Sequence, residues 1–169
     1  KEGVMWKSLT LFLLFSYSPI ALSNTVNINV YGSVVASPCE LETKNHLIDL
    51  KKINIRNIKN GQASDWIDFS IKLKNCPVNT EKVTMILRGQ SVPNYSEYFI
   101  NSGTAKDIAL NLAMQNNKGI VKNNDKLMTA VNKYNHNAEF ALSARMVGYG
   151  NNITVGSFKS HLEFTLIYN

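Results

Sequence analysis

The sequence predicts an all-β protein built as a two-layer sandwich, and three observations support this fold class. Apolar and polar residues alternate with a period of two in several short segments, from residues 25–36 to residues 158–168. Turns rich in Asn and Gly separate these segments, as at Asn60-Gly61 and Ser102-Gly103. Amphipathic helical periodicity is weak. Several short strands at this spacing favour a β-sandwich.

The N-terminal residues have the layout of a secretory signal peptide. A short basic start is followed by the apolar residues 9–15 (LTLFLLF), and the small residues Ala21 and Ser23 precede the predicted cleavage site. A membrane anchor is the alternative, but this apolar stretch is too short to cross about 30 Å of hydrocarbon, and Pro19 interrupts it. We therefore expect residues 1–23, which include a few residues before the first Met, to be removed. No integral membrane segment is then expected in the mature chain.

Composition and charge agree with an exported globular domain. Of 169 residues, 44% are hydrophobic and 18% are charged, which excludes collagen-like, low-complexity and acidic disordered chains. A chain of this length forms one domain with a sizeable core. The net charge is +6, but the lysines are dispersed rather than clustered. Because export also removes the chain from nucleic acid, we expect no nucleic-acid partner.

The only two cysteines, Cys39 and Cys76, are expected to form a disulfide because an exported protein meets an oxidising compartment. The disulfide would close a loop from Cys39 to Cys76, and a loop of this length stabilises the fold by about 4 kcal/mol in the chain-entropy model. A free catalytic thiol and a two-cysteine metal site are the alternatives. Neither cysteine has a nearby His at ligand spacing, which disfavours both.

Between the two terminal segments, four stretches alternate regularly and are predicted as strands. They are residues 66–76, 83–87, 108–114 and 140–147. Residues 51–58 (KKINIRNI) are also better explained as a strand or an extended edge than as a helix. No internal repeat and no linker to a second domain is evident.

The first and last predicted strands are unusual in their positions. Residues 25–36 directly follow the predicted signal peptide, and an apolar strand at a terminus frays unless a sheet holds it. The apolar row of this strand contains Gly32, which would leave a notch in an ordinary core. The last strand, residues 158–168, ends with Tyr168 as the penultimate residue.

These features together resemble the subunits of chaperone–usher pili. Residues 26–39 (VNINVYGSVVASPC) resemble the N-terminal extension of that family, and residues 69–76 (FSIKLKNC) resemble its second-cysteine strand. The resemblance continues through residues 108–119 (IALNLAMQNNKG) and 140–145, and ends with Gly156 and the C-terminal strand. It covers nearly all of residues 24–169. The N-terminal stretch is most similar to the minor, tip-proximal subunits of type 1-like fimbriae.

The resemblance implies an incomplete immunoglobulin-like β-sandwich, the pilin fold, which lacks its final strand and is completed by donor-strand complementation. Residues 24–37 are then a donor-strand extension, and residues 38–169 are the pilin domain. A periplasmic pilus chaperone fills the open groove first, and the extension of a neighbouring pilus subunit replaces it at the outer-membrane usher. An unpaired strand edge over an open core favours such strand addition.

The implied function is that of a non-enzymatic structural subunit of a bacterial surface fimbria that supports cell adhesion. The chain is expected to pass through the periplasm to the cell surface, in the fimbrium. The resemblance leaves the order of subunits in the fibre open, and a subunit that terminates the fibre is a further alternative.

The resemblance also assigns roles to residues near both ends of the chain. The donor residues expected to fill a neighbour's groove are Val26, Ile28, Val30, Gly32 and Val34. The residues expected at the acceptor groove and the C-terminal strand are Gly156, Leu162, Phe164, Leu166 and Tyr168. The carboxylate of Asn169 resembles the group that basic residues of the chaperone grip. Each buried aliphatic donor side chain contributes roughly 1.5–3 kcal/mol.

A self-complete exported β-sandwich that binds a carbohydrate or another surface ligand is the alternative, because alternation alone does not distinguish a donor strand from the first strand of a closed sandwich. Trp66, Tyr95, Tyr98 and Tyr149 would then offer ring faces to a sugar, although such residues more often pack in a core. We predict no catalytic residue, no metal site and no cofactor. The three histidines are isolated, and no P-loop, dinucleotide-binding or nucleophile-elbow motif occurs.

Overall fold

The computed structural model describes residues 28–33 and 38–169. Residues 28–33 form no strand or helix, and the side chains of Ile28 and Val30 are 81% and 88% exposed. The predicted signal peptide and the other residues of the predicted donor strand, Val26 and Val34 among them, lie outside the described residues.

Residues 38–169 form an all-β domain. Its strands are β1 (Glu40–Leu41), β2 (Ile67–Lys74), β3 (Lys82–Arg88), β4 (Ser91–Val92), β5 (Tyr95–Phe99), β6 (Ile108–Met114), β7 (Ile120–Val121), β8 (Lys126–Ala130), β9 (Ala138–Gly148) and β10 (Glu163–Tyr168). One turn of 3-10 helix, Ile55–Asn57, is the only helical element in these residues.

The strands pair antiparallel in two sheets. The larger sheet has the order β1-β2-β9-β6-β5-β4, with β7 also paired to β6, and the smaller sheet has the order β10-β3-β8. Core side chains from both sheets form one apolar cluster, which includes Met85 of β3, Leu112 of β6 and Phe140 of β9. The Cys39–Cys76 disulfide joins the segments that flank β1 and β2. The predicted all-β sandwich and the predicted disulfide are both confirmed.

Period-two alternation matches burial where one face of a strand meets the core. In β3, Val83, Met85 and Leu87 are buried, and the residues between them are less so. In contrast, β6 is buried on both faces: Ala109 and Ala113 of its outer face have no exposed surface. Ala109 packs there in a small apolar cluster with Val92 and Val147.

Two segments predicted as extended differ in the structure. Residues 55–57 form the 3-10 turn, whose Asn54 cap accepts a hydrogen bond from the Arg56 N–H, and residues 51–54 pair with no strand. Residues 51–58 were predicted as a strand or an extended edge: the strand is wrong, and residues 55–57 are helical rather than extended. The last strand begins only at Glu163. Before it, Lys159 bonds to the Asn101 side chain and to Ser102 instead of forming a regular ladder.

Candidate functional site

A groove of about 990 Å³ opens into the core of the sandwich. Its floor consists of core side chains from both sheets, among them Ile71 of β2, Leu87 of β3 and Leu110 of β6. Its two rims are residues 44–53, the N-terminal rim, and residues 154–162, the C-terminal rim. These floor side chains are nearly buried, at 3% exposure for Ile71 and 7% for Leu110, and the volume above them between the rims is not filled by the described residues. The domain therefore has room for one further covering element.

The C-terminal rim is hydrogen-bonded along one side. The Ser157 N–H donates to Thr104 Oγ1 (2.9 Å), and the Lys159 N–H donates to Asn101 Oδ1 (2.8 Å). The carbonyls of Ser157 and Lys159 accept backbone hydrogen bonds from the same 101–105 segment, at 3.1 and 2.7 Å. Because neighbouring residues of an extended chain direct their N–H and C=O groups to opposite sides, the backbone groups of Phe158, which lies between these two residues, face the groove.

Gly156 lies where the C-terminal rim passes closest to the neighbouring segment. A Cβ at this position would come within 2.7 Å of the carbonyl carbon and hydroxyl oxygen of Thr104, and closer still to the backbone nitrogen of Ala105. Only a residue without a side chain fits this approach, so Gly156 sets the position of the rim rather than contributing a surface to the groove floor.

Strand β10 continues the C-terminal rim and leaves one edge open. The N–H and C=O groups of Asn169 and Lys82 exchange two hydrogen bonds of 3.0 Å, and β10 pairs with β3 from Glu163 to Tyr168. In this register the odd-numbered residues of β10 bond to β3. The backbone groups of its even-numbered residues therefore point to the open edge, where the structure places no other strand among residues 28–33 and 38–169.

The residues predicted for the groove and the C-terminal strand divide into two sets. Leu162 and Phe164 line the groove, as does Gly156 at the rim. Leu166 and Tyr168 are half-buried against the main core cluster and are not part of the groove lining. Asn169, predicted to anchor a chaperone, is exposed, and its carbonyl accepts hydrogen bonds from Glu81 and Lys82 at 2.8 and 3.0 Å.

The N-terminal rim is an extended segment without strand pairing. Residues 46, 48 and 50 are half-buried, and residues 47, 49 and 51 are exposed. Residues 44–53 have no backbone-to-backbone hydrogen bond within the part of the chain that the structure describes. The Nε2 atom of His46 is buried there without a hydrogen-bond partner in the same part. Sequence analysis missed this rim, although the alternation of Ile48 and Leu50 with polar residues is a signal that points to it.

The mouth of the groove is basic. Lys44, Lys51 and Lys52 lie on one rim and Lys159 lies on the other. The carboxylate of Asp49 bonds to Lys51 through the N–H (2.8 Å) and the ammonium (3.2 Å), and these bonds hold the pKa of Asp49 below its usual value. Because lysines outnumber carboxylates at the mouth, an occupant whose own lysine or arginine side chains lay beside the rims would be repelled.

No group of three or more His, Cys, Asp or Glu side chains is placed to hold a metal ion within the described ranges. In the same ranges, no helix has the length and apolar character needed to cross a membrane.

Comparison with known proteins identifies the family. The chain is 34% identical over 136 residues to the uncharacterized fimbrial-like protein YdeR of Escherichia coli K12, and the match covers 80% of each chain. It is 33% identical over 146 residues to the protein FimG of the same organism, with 85% of each covered. No family model matches the chain. The chain belongs to the family of fimbrial subunits, and the predicted resemblance to that family is confirmed.

Solved structures show the same fold. The P pilus rod subunit PapA superposes with a TM-score of 0.65 at 20% identity, over 79% of this chain and the whole of that one. The P pilus adaptor subunit PapF superposes with a TM-score of 0.52 at 13% identity, over 79% of this chain and 97% of that one. The predicted immunoglobulin-like pilin fold is therefore confirmed as the fold of residues 38–169.

Proposed function

We propose that this chain is a structural subunit of a bacterial surface pilus that polymerises by donor-strand exchange and supports cell adhesion. The observation that carries this proposal is the groove, which opens over core side chains between two rims. Within the described residues, the N-terminal rim has no backbone-to-backbone hydrogen bond, and the C-terminal rim makes such bonds only to residues 102–106. Fimbrial relatives support the same function and an exported location, in the fimbrium at the cell surface.

The groove fits an extended strand better than any other occupant. A strand laid between the rims satisfies the N–H and C=O groups of the C-terminal rim and of β10 through main-chain hydrogen bonds. Alternate side chains of the strand then point down to the apolar floor, and the others point to solvent. A shift of one residue would reverse the two sets, so the floor selects the register as well as the occupant.

The donor strand that we assign to this chain is its own N-terminal segment, given to a neighbouring subunit. Its apolar row consists of Val26, Ile28, Val30, Gly32 and Val34. Ile28 and Val30 are largely exposed in this chain, so their burial in a neighbour's groove would contribute roughly 1.5–3 kcal/mol each. The segment carries no charged residue, which suits a groove with lysines at its mouth.

The partners follow from the state of the groove before assembly. An unpaired edge over an exposed core promotes aggregation, so the groove needs a temporary strand during export. We assign this role to a periplasmic chaperone, which also grips the Asn169 carboxylate. We assign the site of exchange, where a neighbour's donor strand replaces the chaperone, to an outer-membrane usher. We assign an acceptor role to the groove, which would make this chain a subunit that propagates the fibre. A terminating subunit is the alternative, and it should fail to accept a donor peptide.

A strand-exchange assay tests the donor role. A synthetic peptide of residues 24–37 is mixed with chaperone-held neighbouring subunits, and chaperone release is measured over time. Val30→Asp places a charge in the apolar row and should abolish exchange, because an unpaired charge would be buried in the groove. Asn29→Asp, the matched control, adds the same charge to the outward row and should exchange at nearly the rate of the unmodified peptide. Unchanged exchange with Val30→Asp would refute the donor assignment.

A second arm tests the acceptor role on this chain. The chaperone-bound chain without residues 24–37 should accept a donor peptide from another subunit, but it should not enter that subunit's groove. If the chain without residues 24–37 were found within a fibre, joined to a neighbouring subunit on each side, the proposal would be contradicted. Reversible unfolding of the purified chain alone, without chaperone or peptide, would favour the closed sandwich instead.

A further inference from the structure

The outer face of the larger sheet carries a row of aromatic and polar side chains across four strands. Arg145 of β9 stands opposite Asn111 of β6, and Asn111 stands opposite Tyr98 of β5. The Arg145 Nε–H donates to Asn111 Oδ1 (3.0 Å), and the guanidinium carbon lies 4.0 Å from the ring centre of Trp66, next to β2. With strands about 4.8 Å apart, this row spans about 14 Å.

Three tyrosines gather at one end of this row. The ring centres of Tyr95 and Tyr98 are 5.8 Å apart, and Tyr149 lies 5.3 Å from Tyr95 and 6.5 Å from Tyr98. Beneath Tyr98 and Tyr149, the buried side chains Val92 and Val147 form a second, small apolar cluster on this face. This support holds the rings in place, while Tyr95 remains 36% exposed. We call Trp66, Tyr95, Tyr98, Arg145 and Tyr149 the Tyr–Arg surface.

The positive charge of Arg145 has no carboxylate partner within residues 28–33 and 38–169. The neighbouring Lys118, in contrast, is paired with Asp68 at 3.0 Å. The carboxylates of Glu97 and Asp107 are near the tyrosines: burial and then Glu97 raise the pKa of Tyr98, and burial and then Asp107 raise the pKa of Tyr149. Neither carboxylate forms an ion pair with Arg145 in the described residues, and Asp107 accepts a backbone hydrogen bond of 2.8 Å from Asn152. Partial burial lowers the pKa of Arg145, which reflects a charge that has lost part of its hydration. Such a charge favours an anionic partner.

We propose that the Tyr–Arg surface binds an acidic oligosaccharide, with tyrosine rings against the apolar faces of the sugar rings and Arg145 bonded to a sugar carboxylate. A sugar ring has an apolar face and a polar edge, which match flat aromatic rings beside tyrosine hydroxyls and the Arg145 guanidinium. The Asn111 side chain is buried beneath this surface and positions Arg145 by accepting its Nε–H. A row of about 14 Å has room for an oligosaccharide rather than a single ring.

This surface is independent of the groove. Leu110 and Ala144 line the groove on the inner face of the sheet. Asn111 and Arg145 follow them in sequence, and alternation directs their side chains to the outer face. A saccharide can therefore bind while a strand fills the groove, and loss of saccharide binding would leave strand exchange unchanged.

The test uses the full chain purified with the strand or chaperone that fills its groove. The probes are sialyllactose, which carries a carboxylate, and lactose, its neutral counterpart, with binding measured by calorimetry. We expect sialyllactose to bind at least about tenfold more tightly than lactose, as one charge-assisted bidentate hydrogen bond predicts. Arg145→Gln should remove this preference, and Arg145→Lys should restore only part of it.

A second pair of variants separates the aromatic contribution from the charge. Tyr95→Ser should weaken binding of both sugars several-fold, whereas Tyr134→Ser, which alters a 98% exposed tyrosine elsewhere, should change neither. Tyr95→Ser also tests the surface if Arg145→Gln does not fold. Equal binding of the two sugars, unchanged binding by folded Arg145→Gln, or capture of an acidic protein without saccharide binding would each overturn the proposal.

Discussion

Replacing Gly156 with alanine tests how the C-terminal rim of the groove is held. The new methyl group would collide with Thr104 and Ala105, and most of the atoms that it meets belong to backbone. The rim must therefore move away from the 101–105 segment and strain the hydrogen bonds of Ser157, which are 2.9 to 3.4 Å long. Loss of two of these bonds, at about 1 kcal/mol each, predicts a destabilisation of about 2 kcal/mol.

The assay is urea unfolding of the full chain with a donor peptide in its groove, together with the rate of peptide uptake. We expect a lower unfolding midpoint and slower uptake, because the shifted rim no longer presents its backbone groups to an incoming strand. Gly32→Ala is the control: no atom lies within 4 Å of its new methyl group, so its stability should stay within about 0.5 kcal/mol of the unmodified chain. An unchanged midpoint for Gly156→Ala, with normal uptake, would refute this account of the rim.

Three further predictions concern the rest of the domain. Cys39→Ser should cost about 2–5 kcal/mol and lower the yield of chaperone-bound chain in co-purification; an equal yield would contradict this. The pKa of Asp68 is lowered by hydrogen bonds from the Ser143 hydroxyl and then from Lys118. The ionised carboxylate therefore stabilises the fold above its unfolded pKa near 4, and this contribution is lost as the pH falls through the lower folded pKa. Asp68→Asn should accordingly flatten the acid limb of a plot of urea midpoint against pH, and a limb as steep as in the unmodified chain would count against the assignment. Phe140→Ala should cost about 3–5 kcal/mol in urea unfolding, whereas Met128→Ala, at a 67% exposed position, should cost less than about 0.5 kcal/mol; similar costs for both would show that the core is misassigned.

The strands that face the core on one side were predictable from the sequence. In β3 and β10 the inward side chains are apolar, and most of the outward ones are polar or charged. This alternation with a period of two therefore predicts both the strand and the face that is buried. The disulfide was predictable for a different reason: an exported chain with two cysteines offers one pairing. The strands depend on the order of neighbouring residues, and the disulfide depends on the number of cysteines. Both can be read from the sequence without knowing how distant segments pack.

Features that depend on contacts between distant segments were not predictable in the same way. Residues 51–58 alternate well enough to suggest a strand, but no partner strand lies beside them, and residues 55–57 close a short turn instead. The need for glycine at position 156 depends on how closely Thr104 and Ala105 approach it. Sequence analysis named the four aromatic residues of the Tyr–Arg surface, but not Arg145, which reaches Trp66 only because β2 and β9 pair.

The amino-acid sequence by itself determined that the chain forms β-strands, which of their faces are apolar, and that its terminal segments resemble those of fimbrial subunits. The resemblance already implied an open groove, but only the tertiary structure decided which two segments form its rims. It alone also decided that Arg145 lies next to aromatic rings without a carboxylate partner in the described residues. The physical reason is that alternation is a local property of the chain. Pairing, close approach and unmatched charge arise only when strands that are distant in sequence pack side by side.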